Sequence, residues 1–166
     1  MQSAPIPKNE KERLQKIREL GILDTEPEER FEAITREAIK AFHVPIATIT
    51  IMDENREWYK SCQGLDVEEV PRSVSFCAHA MLSRNLFCIE DTLKDDRFKD
   101  NPMVVGKPYI RFYAGVSLYS KDDMNIGIFC IKDTKPRRLS VKETGMLIDF
   151  ASRAEAELNK MTNKAP

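Results

Sequence analysis

Apolar residues recur at two different periods along this chain, and the switch between them divides it into elements. Residues 9–20 form a charged segment with Leu14, Ile17 and Leu20 along one stripe, which reads as a helix. Gly21 follows as its stop, since glycine takes the left-handed conformation at a helix end. Thr25-x-x-Glu28 reads as a capping box opening a second helix, on which Phe31, Ile34, Ala38 and Phe42 form one apolar face. After Val44-Pro45 the pattern becomes β-branched. Residues 46–52 read as a central strand, and 57–63 as its returning hairpin partner with Trp58, Lys60 and Cys62 on one face. A loop through Pro71 leads to Ser75, which caps a short helix through Leu82. Residues 86–90 read as a third strand, and 91–108 as a long loop with one helical turn near 95–98. Residues 109–120 and 124–132 pair as a second hairpin around Lys121-Asp122-Asp123. Ser140-x-x-Glu143 is another capping box, opening a helix to about Met161 with Leu147, Phe150, Ala151, Ala154, Leu158 and Met161 on one side.

Tight hairpins join antiparallel strands, so the pattern predicts an α+β domain built on a mainly antiparallel sheet. The chain's 166 residues suit one domain over 9–161, with a frayed, disordered tail expected at 1–8 and a further tail at 162–166. A formal net charge of −1 leaves no basic face for nucleic acid or anionic lipid. No apolar run approaches the roughly 20 residues of a membrane span, and Met1 to Lys8 is polar and Pro-rich, unlike a signal peptide. The expectation is a cytoplasmic protein whose Cys62, Cys77, Cys88 and Cys130, lacking any C-x-x-C spacing, stay free thiols.

Two stretches hold more chemistry than a core needs: 75–82, which includes Phe76, Cys77 and His79, and 109–115, which includes Arg111, Phe112 and Tyr113. They are expected to form two walls of a small-molecule pocket. Cys77, second in the short helix, is placed where helix N–H groups lower a thiol pKa, or else is a small apolar filler. His79 reads as a hydrogen-bonded pocket histidine rather than a metal ligand, because the chain has only one other histidine. Arg111 and Tyr113 are expected on one strand face, with Arg111 meeting an anionic ligand group or pairing with Asp91 or Asp96 to pin the loop. Trp58 is a stacking platform or a sheet aromatic, and Phe98 either lines or fills the cavity. On the last helix, Ala151, Ala154, Leu158 and Met161 have a coiled-coil spacing that suits a dimer seam.

The ordered set Asn9-Glu10, Arg13-Leu14, Ile22-Leu23-Asp24-Thr25-x-Pro27-Glu28, Pro71-Arg72, Ser75-Phe76-Cys77-Ala78-His79-Ala80, Asp96-Arg97-Phe98, Asn101-Pro102, residues 110–115, Ile126-Gly127 and Cys130-Ile131-Lys132-Asp133 resembles a GAF domain. The form it resembles is the one at the N-terminus of bacterial sensor kinases and cyclases, over roughly 9–158. The resemblance implies a twisted antiparallel sheet of five or six strands, with the terminal helices on one face and the short helix and long loop over a pocket on the other. It implies a non-catalytic sensor of a small molecule that dimerises through its terminal helices and drives a kinase or cyclase output. No output segment follows Met161, so the chain is expected to act in trans or to be a piece of a longer protein. The ligand-binding set is then Trp58, Phe76, Cys77, His79, Asp91, Phe98, Arg111 and Tyr113. No haem, bilin or metal is expected. The alternatives are a free methionine sulfoxide reductase-like thiol enzyme, for which residues 91–108 lack a cysteine, and a dimerisation domain with a filled pocket.

Overall fold

The structure, a computed structural model, describes residues 1–163, so the end of the expected C-terminal tail, 164–166, lies outside the described residues. The first helix, α1, is Glu10–Leu20, ended by Gly21 at φ 63. The second, α2, is Glu29–Phe42. Its expected capping box does not form. Thr25 donates its hydroxyl to the Ile22 carbonyl, and Glu28 becomes the N-cap residue. Both residues are used instead to hold Lys60, whose ammonium reaches Thr25 Oγ1 at 2.8 Å, the Glu26 carbonyl at 2.6 Å and the Glu28 carboxylate at 2.7 Å.

Six strands follow: β1 (Ile46–Met52), β2 (Arg56–Gln63), β3 (Glu69–Pro71), β4 (Leu86–Ile89), β5 (Phe112–Tyr119) and β6 (Asn125–Asp133). They form one antiparallel sheet in the order β3-β2-β1-β6-β5-β4. The short β3, inside the loop through Pro71, carries too little pattern to read from sequence. β5 begins at Phe112 rather than at 109, because Tyr109 takes a positive φ of 60 and interrupts the extended backbone. Two short helices and a long one complete the chain with α1 and α2: α3 (Phe76–Ala80), α4 (Pro102–Val105), and the long α5 (Val141–Asn159), which runs into a tighter turn at Lys160–Asn163. The Ser140–Glu143 capping box closes α5's first turn as expected. Among the described residues no helix is long and apolar enough to cross a membrane.

Alternation gives the sheet two unlike faces. On one, Ala47, Ile49, Ile51, Phe112, Ala114, Leu118, Phe129 and Ile131 meet the apolar stripes of α1, α2 and α5. The last-helix stripe Ala151, Ala154, Leu158 and Met161 is buried in this core, so it packs on the chain's own sheet and does not form an outward dimer seam. Each large side chain buried there contributes about 1.5–3 kcal/mol, which is what orients the helices. The other face carries Thr48, Thr50, Cys130, Lys132 and Tyr113, and α3 and the 91–108 segment cover it. A bulge in β2 turns Lys60 and Ser61 both toward α2, where Ser61 meets Thr35 at 2.7 Å; this separates Trp58 and Lys60 from the face of Cys62. Gly127 on β6 faces Ile51 of β1 with no room for a side chain: a Cβ there would sit 2.0 Å from the Thr50 carbonyl oxygen.

Several of the first eight residues make contacts with the domain. Met1 and Ala4 pack on the second core, the Gln2 N–H donates to the Arg97 carbonyl, Ser3 donates to the Ser73 carbonyl, and the terminal ammonium pairs with Asp100 at 2.9 Å. α1 is fixed to the sheet by charge. Buried Arg13 donates to the Met52 carbonyl at 2.7 Å and to Glu10 at 2.8 Å, and Glu10 also pairs with Arg72, which reaches the Asp53 carbonyl.

Burial opposes ionisation of Glu10, but the Arg72 and Arg13 donors outweigh it and hold its carboxyl below the ordinary value. A carboxyl depressed in the folded state stabilises above its unfolded pKa, and that contribution is lost as the pH falls through the folded one. Glu10→Gln should therefore cost about 3 kcal/mol at neutral pH, with the gap to wild type closing below the carboxylate range in urea melts across pH. Gly127→Ala should cost more than about 3 kcal/mol in the same assay, because the atom it strikes is backbone and cannot turn aside.

Candidate functional site

The site begins at one carboxylate. Glu57, on β2, is buried and accepts from the Tyr59 hydroxyl at 2.6 Å and from the Ser75 hydroxyl at 2.6 Å. The same Ser75 oxygen accepts the Ala78 N–H at 2.9 Å, which caps α3. The start of α3 is thus tied to the sheet, and its first residues face inward. Phe76 stacks on Phe98 with ring centres 4.7 Å apart and on Tyr113 at 5.4 Å. His79 meets the edge of Phe98 at 4.8 Å and donates to the Gln2 carbonyl at 2.8 Å. Burial, with the Gln2 carbonyl opposing it and the Arg97 charge assisting it, lowers the His79 pKa. Asn101 caps α4 and donates to the Val74 carbonyl, which joins the long segment to the turn before α3.

Beneath the rings lies a polar floor. The Tyr113 hydroxyl donates to Cys77 Sγ at 3.0 Å, and a Cβ on Gly115 would lie 2.5 Å from that hydroxyl oxygen, so the glycine lets the phenol lie along its own strand. Cys77 Sγ is 3.9 Å from Cys130 Sγ, and Cys130 is 3.0 Å from Thr48 Oγ1. Lys132, at 1% exposure, places its ammonium 5.8 to 6.0 Å from the ring centres of Phe76, Tyr113 and Tyr59. Burial works to discharge it, but the Cys130 sulfur and the Glu57 carboxylate hold it protonated, above its ordinary value. Among the described residues no hydrogen bond or ion pair is made by that ammonium. The other buried charged side chains do have such partners: Arg13, Arg72, Lys60, Glu57, and Asp133 with Arg137 at 3.0 Å.

Five of the eight residues expected to line the site come together here: Phe76, Cys77, His79, Phe98 and Tyr113. Three do not. Trp58 packs in the core on the opposite face and rims a surface hollow of about 290 Å³ beside Asp24–Pro27. Asp91 caps the turn after β4 through the Leu93 N–H. Arg111 lies one residue before β5 and is not among the packed rings. Its guanidinium donates to the Val104 and Ile110 carbonyls, so it pins the loop through backbone oxygens rather than through Asp91 or Asp96. Cys77 sits at the second helical position, but its thiol pKa is raised: burial outweighs the N–H groups of a five-residue helix. Glu57 and Tyr59 are not singled out by the sequence, and Cys130 and Lys132 enter its reading within the resemblance motif, not as site residues. Their signal was there as polar residues at alternate positions in strands that otherwise read as core.

The comparisons agree with this architecture. The family model of the GAF domain matches residues 26–158. The chain is 39% identical over 162 residues to Cyclic di-GMP phosphodiesterase PA2567 of Pseudomonas aeruginosa, covering 97% of this chain and 28% of that protein. It therefore spans little more than a quarter of that relative's length. Among solved structures, the GAF domain of an Acinetobacter phosphoenolpyruvate-protein phosphotransferase superposes with a TM-score of 0.69 at 15% identity, covering 96% of this chain and 98% of that one. The free methionine-R-sulfoxide reductase of Neisseria meningitidis, solved with its substrate, gives 0.65 at 16% identity with full coverage of both. At such identities these two establish shared fold alone. The family-model match establishes more, since it spans most of the chain, and the chain belongs to the GAF domain family, whose members are in general ligand-binding signalling domains without catalysis of their own.

Proposed function

We propose that this domain is a non-catalytic sensor whose site between α3 and the sheet takes a small molecule carrying an anionic group. The observation that carries this reading is Lys132. An ammonium taken out of water costs several kcal/mol unless acceptors replace the lost hydration, and here it lies over the faces of Tyr59, Phe76 and Tyr113. A carboxylate or phosphoryl oxygen seated beside it would supply those acceptors. Glu57, Tyr59 and Thr48 offer further polar contacts, and Phe76 and Tyr113 offer apolar ones.

In the state described, Phe76, Phe98 and Tyr113 fill the space over the floor. Ligand binding therefore requires the rings, the 91–108 segment and the N-terminal strap to shift outward. Coupling to an output can be no larger than the ligand's preference for that shifted state. The output we favour is cyclic di-GMP hydrolysis, after the Pseudomonas relative, with the hydrolytic part on the same polypeptide or on a partner in the cytoplasm. A kinase or cyclase is the other candidate output. Homodimerisation remains part of the reading, through the outer side of α5, where Ile148 is exposed, since the inner stripe is already buried. The ring stacks also favour a second reading, a filled site in a domain that only mediates assembly.

Native and denaturing mass spectra of wild type and Lys132→Met separate the two. The sensor reading expects a small acidic molecule on native wild type, lost on denaturing and absent from the variant, with the variant's stability within about 1 kcal/mol of wild type. A ligand kept equally by both proteins, or no ligand together with a loss of more than about 3 kcal/mol in the variant, would mean that Lys132 serves Glu57 and the packed core instead.

A further inference from the structure

Cys77 and Cys130 lie at the centre of this face on different elements, α3 and β6, with sulfur touching sulfur at 3.9 Å. The hydroxyl of Tyr113 donates to Cys77, Thr48 lies within hydrogen-bond distance of Cys130, and the Cys77 thiol lies 3.9 Å from Thr50 Oγ1, which accepts from it. A hydroxyl donating to sulfur stabilises a thiolate. Burial works against ionisation at both sulfurs. At Cys130, however, the Cys77 S–H, the Lys132 charge and the Thr48 hydroxyl outweigh burial and hold its pKa below the ordinary thiol value, while burial pushes Cys77 up. The two sulfurs therefore differ in role, one poised to attack and the other to follow.

We propose that Cys77 and Cys130 are an oxidisable pair that forms an intramolecular disulfide when a hydroperoxide reaches the interior. The Cys130 thiolate attacks the outer oxygen of R–O–O–H. The O–O bond breaks, and R–O⁻ leaves and takes a proton, giving an alcohol, or water from hydrogen peroxide. Cys130 is now a sulfenic acid. The Cys77 sulfur attacks it, the S–S bond forms, the S–O bond breaks, and the hydroxide leaves as water with the Cys77 proton. Two thiols are oxidised by two electrons in total and one hydroperoxide is reduced. No turnover is implied, because the pair waits for a separate thiol reductant. This function is independent of the ligand proposed above.

The geometry also says what oxidation would do. A disulfide holds its sulfurs about 2.05 Å apart, so closing the contact requires the first turn of α3 and β6 to approach by part of about 1.9 Å. Cys77 is flanked by Phe76, which stacks on Phe98, and lies two residues before His79, which holds the strap through Gln2. Oxidation is therefore felt by the cover of the site.

Peptide mapping of the whole protein tests this. Wild type is treated with hydrogen peroxide, unfolded, alkylated and digested without reduction. The expected result is one cross-linked pair of peptides joining Cys77 to Cys130, removed by dithiothreitol. Because substituting either cysteine disturbs a packed interior, the second protein is Cys62→Ser/Cys88→Ser, altered at a half-buried and an exposed position, and the same cross-link must appear in it. Alkylation of both Cys77 and Cys130 after peroxide treatment would overturn the proposal. So would cross-links through Cys62 or Cys88, or a sulfinic acid at Cys130 without any cross-link.

Discussion

Lys132 carries a positive charge into the middle of a folded sheet, and much of the second face is arranged around that fact. β6 brings it there as the alternate residue after Cys130, opposite Tyr113 on β5. The facing carboxylate, Glu57, is already engaged by two hydroxyls and is not within ion-pair distance of the ammonium. A charge balanced at a distance is tolerated, but its unfilled hydrogen bonds are a standing cost. Proteins that keep such a cost usually keep it where something else binds. The rings over it, the cap at Ser75 and the strap at the N-terminus all become parts of one enclosure.

The two faces divide the work. The helix face is a conventional apolar core, in which α2 and α5 are oriented by stripes of Phe, Ile, Leu and Ala. Its few polar groups are satisfied in place, as Lys60 is by Thr25 and Glu28. That face gives the domain its rigidity. The other face mixes thiols, hydroxyls, a carboxylate and an ammonium with aromatic rings, and its cover is made of short helices and turns held by single caps such as Ser75 and Asn101. Segments of that kind sit at the low end of local stability, which is where a responsive site must lie.

The helix periods, the two hairpins and the Ser140 capping box were legible because local pattern and tertiary packing agree there. Where they disagree, the sequence misleads for identifiable reasons. Thr25 and Glu28 have capping-box spacing, but a lysine from β2 competes for the same oxygens and wins. Ala151, Ala154, Leu158 and Met161 have seam spacing, but any stripe on a terminal helix looks the same whether it meets its own sheet or a partner. Trp58 and Cys62 fall on different faces because of a bulge that no residue type announces. The resemblance motifs divide in a similar way. Glu10, Arg13, Arg72 and Asn101 proved to be frame, whereas Phe76, Cys77, His79 and Tyr113 line the enclosure. The polar floor was hardest to see, since Thr48, Cys130 and Lys132 sit in strands whose β-branched neighbours conceal them.

The measurement that bears most directly on this account is a crystal structure of the protein as purified from cells, read at Lys132 Nζ. The account predicts density for an anionic group of a separate molecule within hydrogen-bond distance of the ammonium, with Phe76 and Phe98 moved apart. An ammonium closed onto Glu57, with the rings still stacked and nothing beside it, would contradict the account.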